Sequence, residues 1–164
     1  MRERCASIAF ILLFLFSTLT GGCRRPETQE EFNERQMHGH GTTPPHLLRG
    51  LLTSQIQYRA YYPEVGYACS LATLGGMGES AQNGEPDVQH AMLINRELAS
   101  GHESGYTLNI SNCHGRPVSK FSVIAVPDSP AAGQIAYCAD QSSVIHYSMD
   151  GKGETCLASG KVLR

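Results

Sequence analysis

The chain has 164 residues, six cysteines, no tryptophan, and 13 basic against 15 acidic side chains. That length suits one domain with a short attachment. The near balance of charge, with no basic stripe interleaved with aromatics, argues against a nucleic-acid partner.

The first element is a leader. Met1-Arg-Glu-Arg4 precedes an apolar run over residues 8–19, and Thr20-Gly21-Gly22-Cys23 follows. A basic start, about a dozen apolar residues and a small-residue exit read as a secretory signal. The run is too short to span a membrane, which takes roughly 20 apolar residues.

The stretch Leu19-Thr-Gly-Gly-Cys23 resembles the lipobox of bacterial lipoproteins. The resemblance implies that residues 1–22 are a signal peptide removed before Cys23, and that Cys23 carries the lipid. The membrane would then be a partner through acyl methylenes, each contributing roughly 0.8 kcal/mol. Arg24, where an aspartate would mark inner-membrane retention, implies a place in the cell envelope facing the periplasm or exterior, on the outer membrane where the host has one. A plain secreted protein headed by Cys23 is the alternative.

Residues 23–45 follow as a lipidated tether. They hold Pro26, Gly39, Gly41, Pro44, Pro45 and many charges, with only Phe32 and Met37 to bury, so ordering them has little to offset its entropy. His38-Gly-His40 and His46 are imidazoles close in sequence, but a folded metal site needs three or four fixed ligands with supporting contacts. No metal or other cofactor is expected.

The domain, residues 46–164, is expected to open with a helix over residues 46–62. Leu48, Leu52, Ile56 and Ala60 recur at four-residue spacing with Leu47 and Leu51 alongside, and Pro63 ends the run. Residues 64–78 read as a loop. A second helix is expected over residues 87–99, burying Val88, Ala91, Ile94 and Leu98. From Gly105 the period becomes two: Tyr106, Leu108 and Ile110 alternate with polar residues, and β-rich runs follow at 118–126, 134–138 and 144–147, with turn chemistry between them. Short links make neighbours antiparallel. The expected fold class is therefore α+β, an N-terminal helix and a second short helix packed on a four-strand antiparallel meander.

Tyr61-Tyr-Pro-Glu-Val-Gly-Tyr67, Leu71-Ala-Thr-Leu-Gly-Gly76, Leu98-Ala-Ser-Gly101, Ser104-Gly-Tyr-Thr107, Ala125-Val-Pro127 and Ala139-Asp-Gln-Ser-Ser-Val-Ile145 together resemble the globular domain of type IV pilins and type II secretion pseudopilins. The likeness covers roughly residues 46–150 and implies a pilin-like fold. Pilins carry a long apolar stalk; none follows Cys23 here, so filament assembly does not come with the resemblance.

Cys69, Cys113, Cys138 and Cys156 remain for the domain, an even number suited to two disulfides in an oxidising compartment. No Cys-x-x-Cys pair suggests a zinc ribbon or a redox dithiol. A meander brings Cys138 to the same end of the sheet as Cys113, so Cys113–Cys138 with Cys69–Cys156 is the expected pairing, although Cys113 must lean across about two strand spacings. Cys138–Cys156 with Cys69–Cys113 is the rival; it needs the tail to double back along the last strand.

No catalytic residue is expected. There is no Gly-x-Ser-x-Gly elbow and no His-Glu-x-x-His helix, and the glycines of Gly75-Gly-Met-Gly78 lack the strand and helix of a phosphate cradle. His146 reads as an exposed or hydrogen-bonded strand side chain, and the Asn109-Ile-Ser111 sequon as a plain strand. Two function classes result: a non-catalytic envelope module contacting an unidentified envelope protein, beside a pilus or secretion apparatus, or a small-ligand or ion-binding periplasmic lipoprotein with residues 75–86 as its mouth.

Overall fold

The computed structural model describes residues 43–76, 85–129 and 135–164. The expected signal peptide, Cys23, most of the expected tether and the middle of the 75–86 segment lie outside the described residues.

Helix α1, Pro44–Tyr61, starts where Pro44 and Pro45 sit in its first turn, positions whose missing N–H has no helical partner anyway. It buries Leu47, Leu48, Leu51, Leu52, Ser54, Gln55 and Tyr58. The stripe expected at 48, 52, 56 and 60 holds only for its first half, because Ile56 is 57% exposed and Ala60 is exposed too. The reason is geometric: at 3.6 residues per turn, each four-residue step overshoots a full turn by about 40°. Three such steps carry position 60 off the face that 48, 51, 55 and 58 share.

Two further helical pieces depart from expectation. Helix α2, Leu71–Gly75, lies in what reads as loop. Ser70 caps it by accepting from the Thr73 N–H at 3.0 Å, and Gly76 closes it at φ 73°, the left-handed conformation glycine adopts freely. The expected helix over 87–99 shrinks to α3, Arg96–Ala99, capped by the Asn95 side chain on the Leu98 N–H. Upstream, the Asp87 carboxylate takes the N–H groups of Gln89 and His90, a local turn that competes with helix. Ala91 and Leu93 then donate to the carbonyls of Thr73 and Leu74.

The sheet has six antiparallel strands in chain order: β1 His102–Glu103, β2 Tyr106–His114, β3 Lys120–Pro127, β4 Ala136–Asp140, β5 His146–Ser148 and β6 Lys161–Val162. Helix α4, Gly153–Ser159, intervenes between β5 and β6. The four-strand meander under an N-terminal helix is thus corrected. Among the described residues the sheet has six strands and the long helix is Pro44–Tyr61, not an N-terminal one, so the expected pilin-like meander is not the fold observed. The edge strands β1 and β6 have two residues each, too few for alternation to reveal. A tight turn at Ser104 and Gly105, both at positive φ, joins β1 to β2, the backbone geometry favoured in two-residue hairpins.

The two faces of the sheet do different things. Tyr106, Leu108 and Ile110 of β2, Phe121, Val123 and Ala125 of β3, and Tyr137 and Ala139 of β4 point inward with α1 to make the core. Leu48, Leu51, Leu74, Val123 and Ala125 are wholly buried. The opposite face carries Asn109, Ser111, Ser122, Ile124, Cys138 and His146, and α4 covers part of it. No helix among the described residues is long and apolar enough to cross a membrane.

The disulfides join Cys69 to Cys113 and Cys138 to Cys156, which corrects the expected Cys113–Cys138 pairing. Register explains it. Ser111 faces Ser122 and His114 faces Lys120, leaving two residues, Asn112 and Cys113, opposite one, Phe121, so β2 carries a bulge, with Asn112 at φ 53°. One extra residue flips the side of everything after it. Cys113 therefore packs against the core, while Cys138, paired with Ile124 and His146, faces the other way. The two could not meet through the sheet.

On the core side, the segment after α1 is strapped to the β2–β3 turn. Tyr67 N–H donates to the Val118 carbonyl and Val118 N–H to that of Val65. A Cβ at Gly66 would collide with the Val118 carbonyl oxygen. Beside this strap the buried Gln55 donates to the Ala68 carbonyl at 2.8 Å and accepts from the Ala68 N–H at 2.9 Å.

Candidate functional site

On the outer face, α4 leaves part of the sheet open, and the space between forms a groove of about 370 Å³, open to solvent. Strands β2 to β5 supply Asn112, Ser122, Asp140 and His146; α4 and its end supply Leu157, Ser159 and Gly160. The Cys138–Cys156 bridge, with Cα atoms 5.9 Å apart, holds helix to sheet behind the groove. Gly153 permits the close seating of α4, since a Cβ there would come within 3.0 Å of Ile124.

Each polar lining group has a defined state. His146 Nδ1 lies 3.0 Å from the Gly160 carbonyl. A carbonyl only accepts, so Nδ1 carries the hydrogen, which in the uncharged tautomer leaves Nε2 turned out as an acceptor. Asn112 Nδ2 donates to Ser122 Oγ at 3.3 Å; one amide hydrogen, the amide oxygen and the Ser122 hydroxyl hydrogen are left over. Asp140 Oδ1 accepts from the Ser142 N–H at 2.8 Å, and its second oxygen is free to accept. Ser159 donates to the Thr155 carbonyl at 3.3 Å and keeps its lone pairs.

Among the described residues Asp140 is the only lining carboxylate. Beyond Ser122 on the same face stand His114 and Lys120, opposite each other across the bulge, so the field along this face changes sign. Exposed Leu157 and Val162 add apolar surface, Val162 from its place opposite His146.

The sequence reading places His146 correctly as a hydrogen-bonded strand residue. It brings Cys138 and Cys156 together only in the rival pairing, and it does not single out Asn112, Ser122, Asp140 or Ser159. Asn112 reaches the groove through the bulge, and the alternation of Ser122 with Phe121 and Val123 is the one signal that puts that serine outside. Cys23, His38 and His40 lie outside the described residues. His46 is exposed in the first turn of α1, and Asn109 is exposed in mid-strand. Among the described residues no three His, Cys, Asp or Glu side chains are grouped to hold a metal.

A second chemically distinctive group lies across the sheet. Glu103 on β1 is 9% exposed, and its Oε2 has no hydrogen-bond partner. Burial, reinforced by the nearby Glu97 carboxylate, pushes its carboxyl above the ordinary range. Comparison with protein families, with curated proteins and with solved structures returns no match.

Proposed function

We propose that this chain is an exported lipoprotein, anchored in the cell envelope through lipid on Cys23, that presents a non-catalytic domain for contact with another envelope protein. The observation that carries the reading is the joint pattern of leader and cysteines. A basic, apolar, Gly-Gly-Cys start precedes a domain whose four cysteines are all bridged, and bridges of this kind persist outside the reducing cytoplasm. A non-catalytic role is supported by the groove hydroxyls. Ser122 bonds to Asn112 and Ser159 to the Thr155 carbonyl, so neither is paired with His146. The first partner to seek, a component of a pilus or secretion apparatus, is suggested by the short pilin-resembling segments of the sequence alone and not by the fold.

The test is Cys23→Ser in the native host with a clickable palmitate analogue. Labelling and detergent partition should both disappear, leaving a precursor or a soluble product. Retained label on the variant overturns the anchor.

A second reading, binding of a small ligand outside the membrane, is favoured by the outer-face groove, whose volume falls within the range of ligand sites, about 300–1,000 Å³. Crosslinking the anchored chain in its own envelope separates the two. A reproducible protein adduct that survives blockage of the groove favours protein contact.

A further inference from the structure

We propose that the groove between α4 and the outer face of the sheet binds a neutral, polyhydroxylated ligand, a glycan strand lying across it. The proposal rests on the ligand-binding reading and names the class of ligand.

The first argument is the arrangement of donors and acceptors. Asn112 and Ser122 present hydrogens, while Asp140, His146 Nε2 and Ser159 present lone pairs, all after their internal bonds are counted. A sugar hydroxyl donates and accepts at one atom, so a mixed array of this kind can satisfy several hydroxyls in a row. A ligand with one type of group would leave half of the array unpaired, at a cost for each polar group buried without a partner.

Charge narrows the class. An anion must sit against the Asp140 carboxylate, and a cationic chain lying along the face would run toward Lys120, beyond the groove on the same face. A chain charged along its length with either sign therefore meets a like charge at one end of the face, whereas a neutral chain meets none. The shape agrees. The space is open rather than enclosed, which suits a chain passing over the surface better than a molecule buried within it. Leu157, 40% exposed, and Val162, 51% exposed, offer apolar contact to the C–H faces of sugar rings.

Rigidity is the last element. The lining groups stand on strands, on a helix bolted by Cys138–Cys156, and on Gly160, where a Cβ would come 2.5 Å from the Cys156 carbonyl. His146 is oriented by that same residue. Binding therefore orders little that is not already ordered.

The experiment uses the full lipidated chain in detergent micelles. Three tetrasaccharides are titrated while backbone amide shifts are followed by NMR: a neutral one of β-1,4-linked N-acetylglucosamine, its cationic deacetylated form, and an anionic oligogalacturonate. Saturable shifts clustered at Asn112, Ser122, Asp140, His146 and the end of α4, with the neutral probe favoured, are expected. Asp140→Ala should weaken binding about tenfold, by loss of a hydrogen bond to a charged acceptor. Asn112→Gly, which keeps the left-handed backbone at φ 53° and removes only the side-chain amide, should weaken it about threefold. Shifts at the same amides with a charged probe alone overturn the neutral class of ligand and leave the ligand-binding reading standing. No shifts with any probe overturn the proposal that the groove takes a glycan.

Discussion

Gln55→Leu is the sharpest test of how the domain is held together. Gln55 is wholly buried in α1, and its amide occupies both backbone groups of Ala68, itself 2% exposed. Leucine keeps the shape and adds apolar burial, but it orphans one N–H and one C=O in the same place. Each orphan costs about 1–3 kcal/mol, and the gain from the added apolar surface returns about 1–2 kcal/mol. The net loss is centred on about 2.5 kcal/mol, from a total of about 5–15 kcal/mol expected for a domain of this size. In urea, with a slope of about 1–3 kcal/mol per molar, the midpoint should fall by about 1–2 M. Both disulfides must be intact in parent and variant, because the unfolded reference state otherwise changes. Gln57→Leu, on the exposed side of the same helix, is the control and should move stability by no more than about 0.5 kcal/mol. If Gln55→Leu shifts the midpoint no further than the control at unchanged slope, the clamp contributes nothing and the reasoning fails.

The disulfide map follows from the bulge, so non-reducing proteolysis and mass spectrometry should yield peptides linking Cys69 to Cys113 and Cys138 to Cys156; a Cys113–Cys138 peptide refutes the register argument. Because the bridges close spans of 44 and 18 positions, replacing both cysteines of the first pair by serine should cost about 4 kcal/mol, against about 3 kcal/mol for the second. Equal losses, or the reverse order, in matched urea titrations would count against loop length as the deciding factor. Glu103→Gln addresses the buried carboxyl. Its pKa is raised by burial and by Glu97, so the native state holds the proton more tightly than the unfolded chain; the stabilisation this gives is full below the ordinary carboxyl value and is lost as pH rises through the raised one. The variant should melt above the parent at neutral pH, with the difference closing on acidification, and a parent equally stable relative to the variant at both ends of that range defeats the assignment.

What was legible in the sequence was whatever repeated often enough to average out local exceptions. Helix α1 was visible because six leucine, isoleucine and alanine positions repeat near helical spacing, and β2, β3 and β4 because residues such as Tyr106, Leu108 and Ile110 alternate. The helix's inner face was harder to read. Gln55 is polar by type yet buried by pairing with Ala68, whereas apolar Ile56 is left out in solvent. The two-residue strands had no pattern to show; β6 exists because Leu163 and Val162 find partners beside β5, a fact of tertiary contact. The segment over 87–99 misled because Val88, Ala91, Ile94 and Leu98 have helical spacing, while Asp87 captures the next N–H groups for a turn. By contrast, Ser70 with Thr73 and Gly76 were cap signals in plain sight for α2, obscured by the glycines around them.

The bulge in β2 connects these local exceptions to the proposed site. Without it, strict alternation after Ile110 would turn Asn112 inward and Cys113 outward, removing Asn112 from the groove and leaving Cys69 without a partner on its own face. Cys138 and Cys156 could still bridge, so α4 would still be fastened, but the groove would lose the amide that both donates to Ser122 and offers a second hydrogen. One residue in a left-handed conformation thus determines two things at once: which cysteine faces the strap on the core side, and which polar side chain faces the ligand on the other. Deleting Asn112 should therefore perturb both faces of the sheet, whereas Asn112→Gly, which keeps the backbone conformation at no steric cost, should preserve the Cys69–Cys113 bridge and lose only the groove contact. A variant of the second kind that scrambled the disulfides would show that the Asn112 side chain, and not the extra residue, holds the register.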